Sequence, residues 1–166
     1  MKRSFFKYIL YFLEAVFAFA LQATPYLLPE IFGEKAVVLL PLALSFSFFE
    51  DESKSVVFGA FCGMLADFAF GGSVGLFSIS LAIICYIISL LSQRYIKTGF
   101  LSELAISCTA ILFILVLHFV LYFAFSGYNY IIQFFFTHYI TRILYTLAFV
   151  PLFICLNRYI SKGRCL

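Results

Sequence analysis

The chain has 166 residues, of which 64% are apolar and only 11% charged, with eleven Lys/Arg against eight Asp/Glu and a mean hydropathy of +1.09. Water-soluble domains run near half apolar and a quarter charged, so this chain lacks the polar surface to cover itself in water and is expected to be solvated by lipid. That excludes hydrolases, kinases and nucleic-acid binders built on soluble folds, and at roughly 20 residues per crossing the apolar positions fill at most six spans.

The first apolar segment runs from about residue 7 to 28, behind Lys2, Arg3 and Lys7. It resembles a secretory signal, but a carboxylate within its apolar core, Glu14, argues for an uncleaved first span. Glu14, Ala18 and Gln22 fall at four-residue spacing, and a stripe of polar and small residues is expected to face protein rather than lipid. The second segment, about 32–49, is the short one. Its uninterrupted part, 36–49, reaches about 21 Å as a helix against a hydrocarbon core of about 30 Å.

The reading of that segment sets the topology. If it crosses, Lys2, Arg3, Lys7, Lys54, Arg94, Lys97, Arg158, Lys162 and Arg164 share one side, Lys35 lies opposite, and Arg142 sits within a span. The positive-inside rule then favours six spans with both termini cytoplasmic. The acidic loop Glu50-Asp51-Glu52 looks out of place on that side, although carboxylates count little in the rule.

The third segment, about 56–70, carries the strongest pattern: Gly59, Gly63, Asp67, Gly71 and Gly75 recur every four residues. Within a helix that spacing drifts about 40° per step, so Gly59, Gly63 and Asp67 share one face. Such a face lets a neighbouring backbone approach closely, as packing inside the bundle or as a dimer seam. Asp67 lies about one turn before Gly71-Gly72, where the carbonyl end of the helix repels a carboxylate, so it needs a donor or a cation.

The fourth and fifth segments span about 76–91 and 104–125, the latter with His118 in its outer half as a hydrogen-bonded packing residue. The sixth, about 139–156, places His138 and Arg142 at the depth of Asp67 and predicts an Asp67–Arg142 ion pair, the alternative being that both snorkel to headgroups. The scattered cysteines Cys62, Cys85, Cys108, Cys155 and Cys165 contain no C-x-x-C pair, the histidines lack metal-ligand spacing, and no G-x-S-x-G occurs. No cofactor, metal site or enzymatic centre is expected. The fold class is all-α: one polytopic domain, residues 1–166, built as a compact bundle of six transmembrane helices.

The run Gly63-Met64-Leu65-Ala66-Asp67-Phe68-Ala69-Phe70-Gly71-Gly72-Ser73-Val74-Gly75-Leu76 resembles the signature of the rod shape-determining protein MreD family, in which G-x-L-x-D-x-x-x-G-x-x-x-G-L crosses from one span into the next. The final span is similar too, with Pro151 in a small-apolar stretch before a basic tail. One departure is Phe77-Ser78, where that family often has a histidine soon after the last G-L. The resemblance implies a non-catalytic scaffold in the bacterial inner membrane. Its expected partner is the single-span protein MreC, and through it the actin-like MreB, a SEDS-family glycosyltransferase and a class B penicillin-binding transpeptidase of the cell-elongation machinery.

In that reading Gly59, Gly63, Asp67, Gly71, Gly75, Arg142 and Glu14 are structural or partner-binding residues. A competing class is a vitamin-binding subunit similar to the S-components of energy-coupling-factor transporters, also six-helix bundles of this length. There Asp67, His138, Arg142 and the loop from Gly71 to Gly75 would line an outward pocket, although such a pocket needs more convergent polar side chains than this chain offers.

Overall fold

The computed structural model describes residues 2–24, 35–70, 75–94, 99–123 and 139–162, and the regular structure among them is entirely helical. The helices are α1 (Lys2–Ala23), α2 (Leu39–Ser47), α3 (Glu52–Phe70), α4 (Leu76–Arg94), α5 (Phe100–Phe123) and α6 (Ile140–Lys162). Apolar runs of this length adopt helices because lipid offers no partner for backbone N–H and C=O, which must then pair within the segment. Three of them, α4, α5 and α6, are long and apolar enough to cross a membrane.

The short second segment holds the centre of the molecule. All nine residues of α2 are buried, as are residues 36–38 ahead of it, whereas residues 32–34 of that segment lie outside the described residues. Nine residues make only about 13 Å of helix. Its surroundings supply what a short buried helix lacks. The Val37 N–H donates to Thr146 Oγ1 at 3.1 Å and the Leu39 N–H to Gln22 Oε1 at 3.4 Å, so side chains of α6 and α1 accept from backbone donors at its start. Near its end, Cys85 Sγ donates to the Ala43 carbonyl at 3.7 Å and Asn157 Nδ2 to Ser45 Oγ at 2.5 Å. Pro41 is tolerated because it falls in the first turn, where an N–H has no intrahelical acceptor.

These bonds also fix directions. Lys7 pairs with Glu50 while Gln22 meets Leu39, so α1 and the α2 segment run antiparallel. Thr146 with Val37 and Asn157 with Ser45 set α6 parallel to α2. Arg158 Nη2 donates to Glu103 Oε1 at 3.0 Å at one end, and His118 meets Tyr139 at the other, so α5 opposes α6. The starts of α1, α3 and α5 and the ends of α2, α4 and α6 therefore gather at one end of the bundle, the Glu50 end.

Glu50 ties that end together, which accounts for the acidic loop that looks misplaced in the sequence. Its carboxylate, 5% exposed, pairs with Lys7 and, at 3.7 Å, with Lys54, and accepts from the Tyr8 hydroxyl at 3.3 Å. Its carbonyl accepts from Ser89 Oγ at 2.8 Å and Gln93 Nε2 at 3.3 Å, both on α4. The Glu50→Gln variant should lose about 1 kcal/mol, since its lysines remain partly exposed and such pairs are individually weak. Thermal unfolding in detergent should show the gap to wild type narrowing as salt is raised, and a gap insensitive to salt would mean that charge is not what Glu50 supplies.

The core follows helical spacing. Phe77, Leu81, Cys85 and Ile88 form the buried face of α4, Ile111, Ile114 and Leu115 that of α5, and Ala15 and Ala18 that of α1. The outer faces carry exposed Phe68, Leu101 and Leu144, as lipid solvation requires.

Candidate functional site

Gly59 and Gly63 set the path of α4 over α3. A Cβ placed on Gly63 would stand 2.7 Å from both the Phe77 carbonyl oxygen and the Ser78 nitrogen, so α4 runs against bare backbone there. On Gly59 it would meet Cys85 Sγ at 2.8 Å and the Leu81 carbonyl at 3.2 Å. Ser78 Oγ adds a bond to the Ala60 carbonyl at 3.1 Å. The glycine ridge is therefore filled by α4 of the same chain, the packing alternative of the sequence reading. Both glycines are buried, and neither offers a groove to a second molecule.

One turn beyond Gly63, Asp67 reaches across to the start of α4. Its Oδ2 accepts from the N–H of Gly75 at 3.0 Å and of Ser78 at 3.2 Å, and its Oδ1 from that of Phe77 at 3.2 Å. The first N–H groups of a helix have no intrahelical acceptor, and together they form the positive end of its dipole. A carboxylate from the preceding helix thus caps α4 and is itself satisfied, 8% exposed, by backbone donors. Gly75 makes the approach possible, because its φ of +94° is a backbone conformation that a side chain disfavours.

This arrangement corrects the predicted pair. Asp67 spends its oxygens on α4, whereas Arg142, 7% exposed, lies with its Cζ 5.9 Å from the centre of the Tyr139 ring. The carbonyl end of α3 repels a carboxylate, but in the folded hairpin the N–H end of α4, of opposite sign, bonds Asp67 directly. The other member of the proposed pocket, His138, and also Gly71 lie outside the described residues.

The remaining candidates are packing residues. Ala18 and Gln22 are buried, so the α1 stripe faces protein, and Glu14 sits half-buried with both carboxyl oxygens lacking a hydrogen-bond partner among the described residues. His118 stacks on Phe77 at 4.4 Å between ring centres, and its Nδ1 lies 3.2 Å from the Tyr139 hydroxyl. Sequence reasoning missed the pair of Arg158 with Glu103, whose side chain is 1% exposed, and the Asn157–Ser45 bond. The available signal was depth: Glu103 and Arg158 flank the fifth and sixth apolar runs on the same side.

Chemically the hairpin is a clamp. Among the described residues no three His, Cys, Asp or Glu side chains gather to hold a metal. The backbone donors around Asp67 are used to hold two helices at fixed depth and angle.

A family model described as rod shape-determining protein MreD matches residues 2–160 of the chain. No curated protein and no solved structure matches it.

Proposed function

The chain belongs to the rod shape-determining protein MreD family, and from that membership we propose that it is a non-catalytic scaffold of the bacterial inner membrane that binds MreC. Through MreC it acts with MreB, a SEDS-family glycosyltransferase and a class B penicillin-binding transpeptidase in peptidoglycan synthesis and cell shape. The observation that carries the reading is the family match over nearly the whole chain. We further propose six crossings with both termini cytoplasmic. The gathering of Lys7, Lys54 and Arg158 at the Glu50 end, with Lys35 at the other, supports that orientation.

The scaffold works by rigidity. With its glycine ridge closed on itself, the bundle meets MreC through an outer face of large apolar side chains, while the Asp67 cap and the Glu50 cluster hold the helices in register at opposite ends. Interhelical contacts in lipid are individually weak, about 0.6 to 2 kcal/mol, so affinity comes from many aligned contacts.

Affinity-tagged protein co-expressed with MreC and extracted in mild detergent should retain MreC in stoichiometric amount. Recovery without MreC, but with a tightly held vitamin-like molecule, would replace the scaffold by a binding subunit. Single cysteines at Lys35 and Asp51 in a cysteine-free background test the orientation: an impermeant maleimide added to intact spheroplasts should label the first and spare the second.

A further inference from the structure

Between α1 and α3 at the Glu50 end lies a cavity of about 600 Å³, open on its outer side. Its volume is within the range of ligand pockets, roughly 300 to 1,000 Å³. Rings hold it open. Where glycine lets α4 close on α3, the α1–α3 contact is made by Phe12 stacked on Phe61 with 5.9 Å between centres, and by Tyr11 tilted against Phe58 at 6.4 Å. Phe46 of the buried α2 contributes to the lining, and exposed Val57 lies along the opening.

The polarity of this groove is confined to one end. Ser53 and Lys54 line it there, and Val57, Phe58 and Phe61 are apolar, so the polar and apolar parts follow one another over about 12 Å of α3. Close helix docking in lipid uses small residues, and the apolar length of this groove offers none. A flexible chain with a polar head fits it better than a second helix.

The charges at the mouth narrow the head. The Lys54 ammonium, 46% exposed, stands 2.6 Å from Asp51 Oδ2, 71% exposed, and 3.7 Å from the buried carboxylate of Glu50, whose charge Lys7 also meets, and Glu52 follows in the chain. Lys54 holds the Asp51 carboxyl below its ordinary range, so this acid stays ionised. A head with net negative charge would gain Lys54 and be repelled by Asp51 and Glu52. One that carries a phosphate and an ammonium meets both signs.

We propose that the α1–α3 groove binds an acyl chain of a zwitterionic, amine-bearing phospholipid of the leaflet at the Glu50 end, its phosphate on Lys54 and Ser53 and its ammonium on Asp51. The site is separate from the α3–α4 hairpin and does not depend on which protein the bundle recruits.

The test uses the full chain in nanodiscs of equal phosphatidylethanolamine and phosphatidylglycerol, each lipid in turn carrying a photoactivatable acyl chain, with cross-linked residues mapped by mass spectrometry. Labelling of Phe12, Val57 and Phe61 by the ethanolamine lipid should exceed that by the glycerol lipid roughly tenfold, the ratio given by about 1.4 kcal/mol of preference. The exposed Ile83 on α4, outside the groove, should take up both equally. Val57→Trp fills the groove and should abolish labelling of Phe12 and Phe61 while sparing Ile83. Asp51→Lys changes an exposed side chain whose polar contact is Lys54, so the fold is retained, and it should turn the preference toward phosphatidylglycerol. Equal labelling of groove and Ile83 by both lipids, a preference unmoved by Asp51→Lys, or a co-purifying polypeptide cross-linked in place of lipid would each overturn the proposal.

Discussion

Gly63→Leu should leave little folded protein in the membrane, and Gly63→Ala should already lower stability by about 2 kcal/mol, within the range for overpacking. The reason is what a Cβ would strike. At Gly63 it meets the Phe77 oxygen and the Ser78 nitrogen at 2.7 Å, and these are backbone atoms of the first turn of α4. They cannot rotate aside, so the two helices must separate, and the three bonds to Asp67 one turn away are strained with them.

Gly59→Ala is the internal control. There the nearest atoms are Cys85 Sγ at 2.8 Å and Cβ at 3.0 Å, with the Leu81 carbonyl oxygen at 3.2 Å, so the crowding is milder than at Gly63, and the helix propensity that alanine gains over glycine, about 1 kcal/mol, offsets part of it; the loss should be clearly smaller than that of Gly63→Ala. Unfolding midpoints in a titration with denaturing detergent should therefore order as wild type, Gly59→Ala, Gly63→Ala. Wild-type yield and midpoint for Gly63→Leu would show that α4 does not lie against this position.

How far the sequence reaches differs between elements for physical reasons. The fourth, fifth and sixth segments are legible because a long apolar run leaves the backbone one solution in lipid, and the corresponding helices α4, α5 and α6 form. The centrality of α2 is not legible. A helix buried on every side has no polar face, so periodicity carries no record of what surrounds it. The glycine spacing is legible as one face, since Gly59 and Gly63 share it whatever packs there, and α4 lies against both positions.

Asp67 shows where depth reasoning ends. Its position along the membrane and its need for a donor follow from the sequence, but Arg142 and the start of α4 are both candidates at that depth, and only the lateral order of helices chooses between them. Covalent connection favours α4, because a hairpin returns its N–H groups within eight residues of Asp67, at Gly75. The burial of Glu50 and Glu103 is illegible for a simpler reason: each stands at the margin of an apolar run, where position alone does not separate a buried acid from a headgroup-facing one.

The Asp67 cap predicts a second large effect. Asp67→Leu removes the acceptor of three N–H groups at once, and with a buried unsatisfied donor costing about 1 to 3 kcal/mol and two of these bonds only part-buried, the loss should reach about 3 kcal/mol. Asp67→Asn keeps one acceptor oxygen and gives up the charge at the helix N-terminus, worth about 0.3 to 1 kcal/mol, so it should fall between the two. Combining Asp67→Leu with Arg142→Met separates the cap from the ion pair. If Asp67 serves α4, the two losses add within about 0.5 kcal/mol, because the oxygens of Asp67 are bonded to the backbone of α4; an ion pair would make the double variant clearly more stable than that sum. Amide exchange gives a local readout of the same choice. The N–H groups of Phe77 and Ser78 should lose protection in Asp67→Leu and keep it in Arg142→Met, and protection lost in both would return Asp67 to the guanidinium.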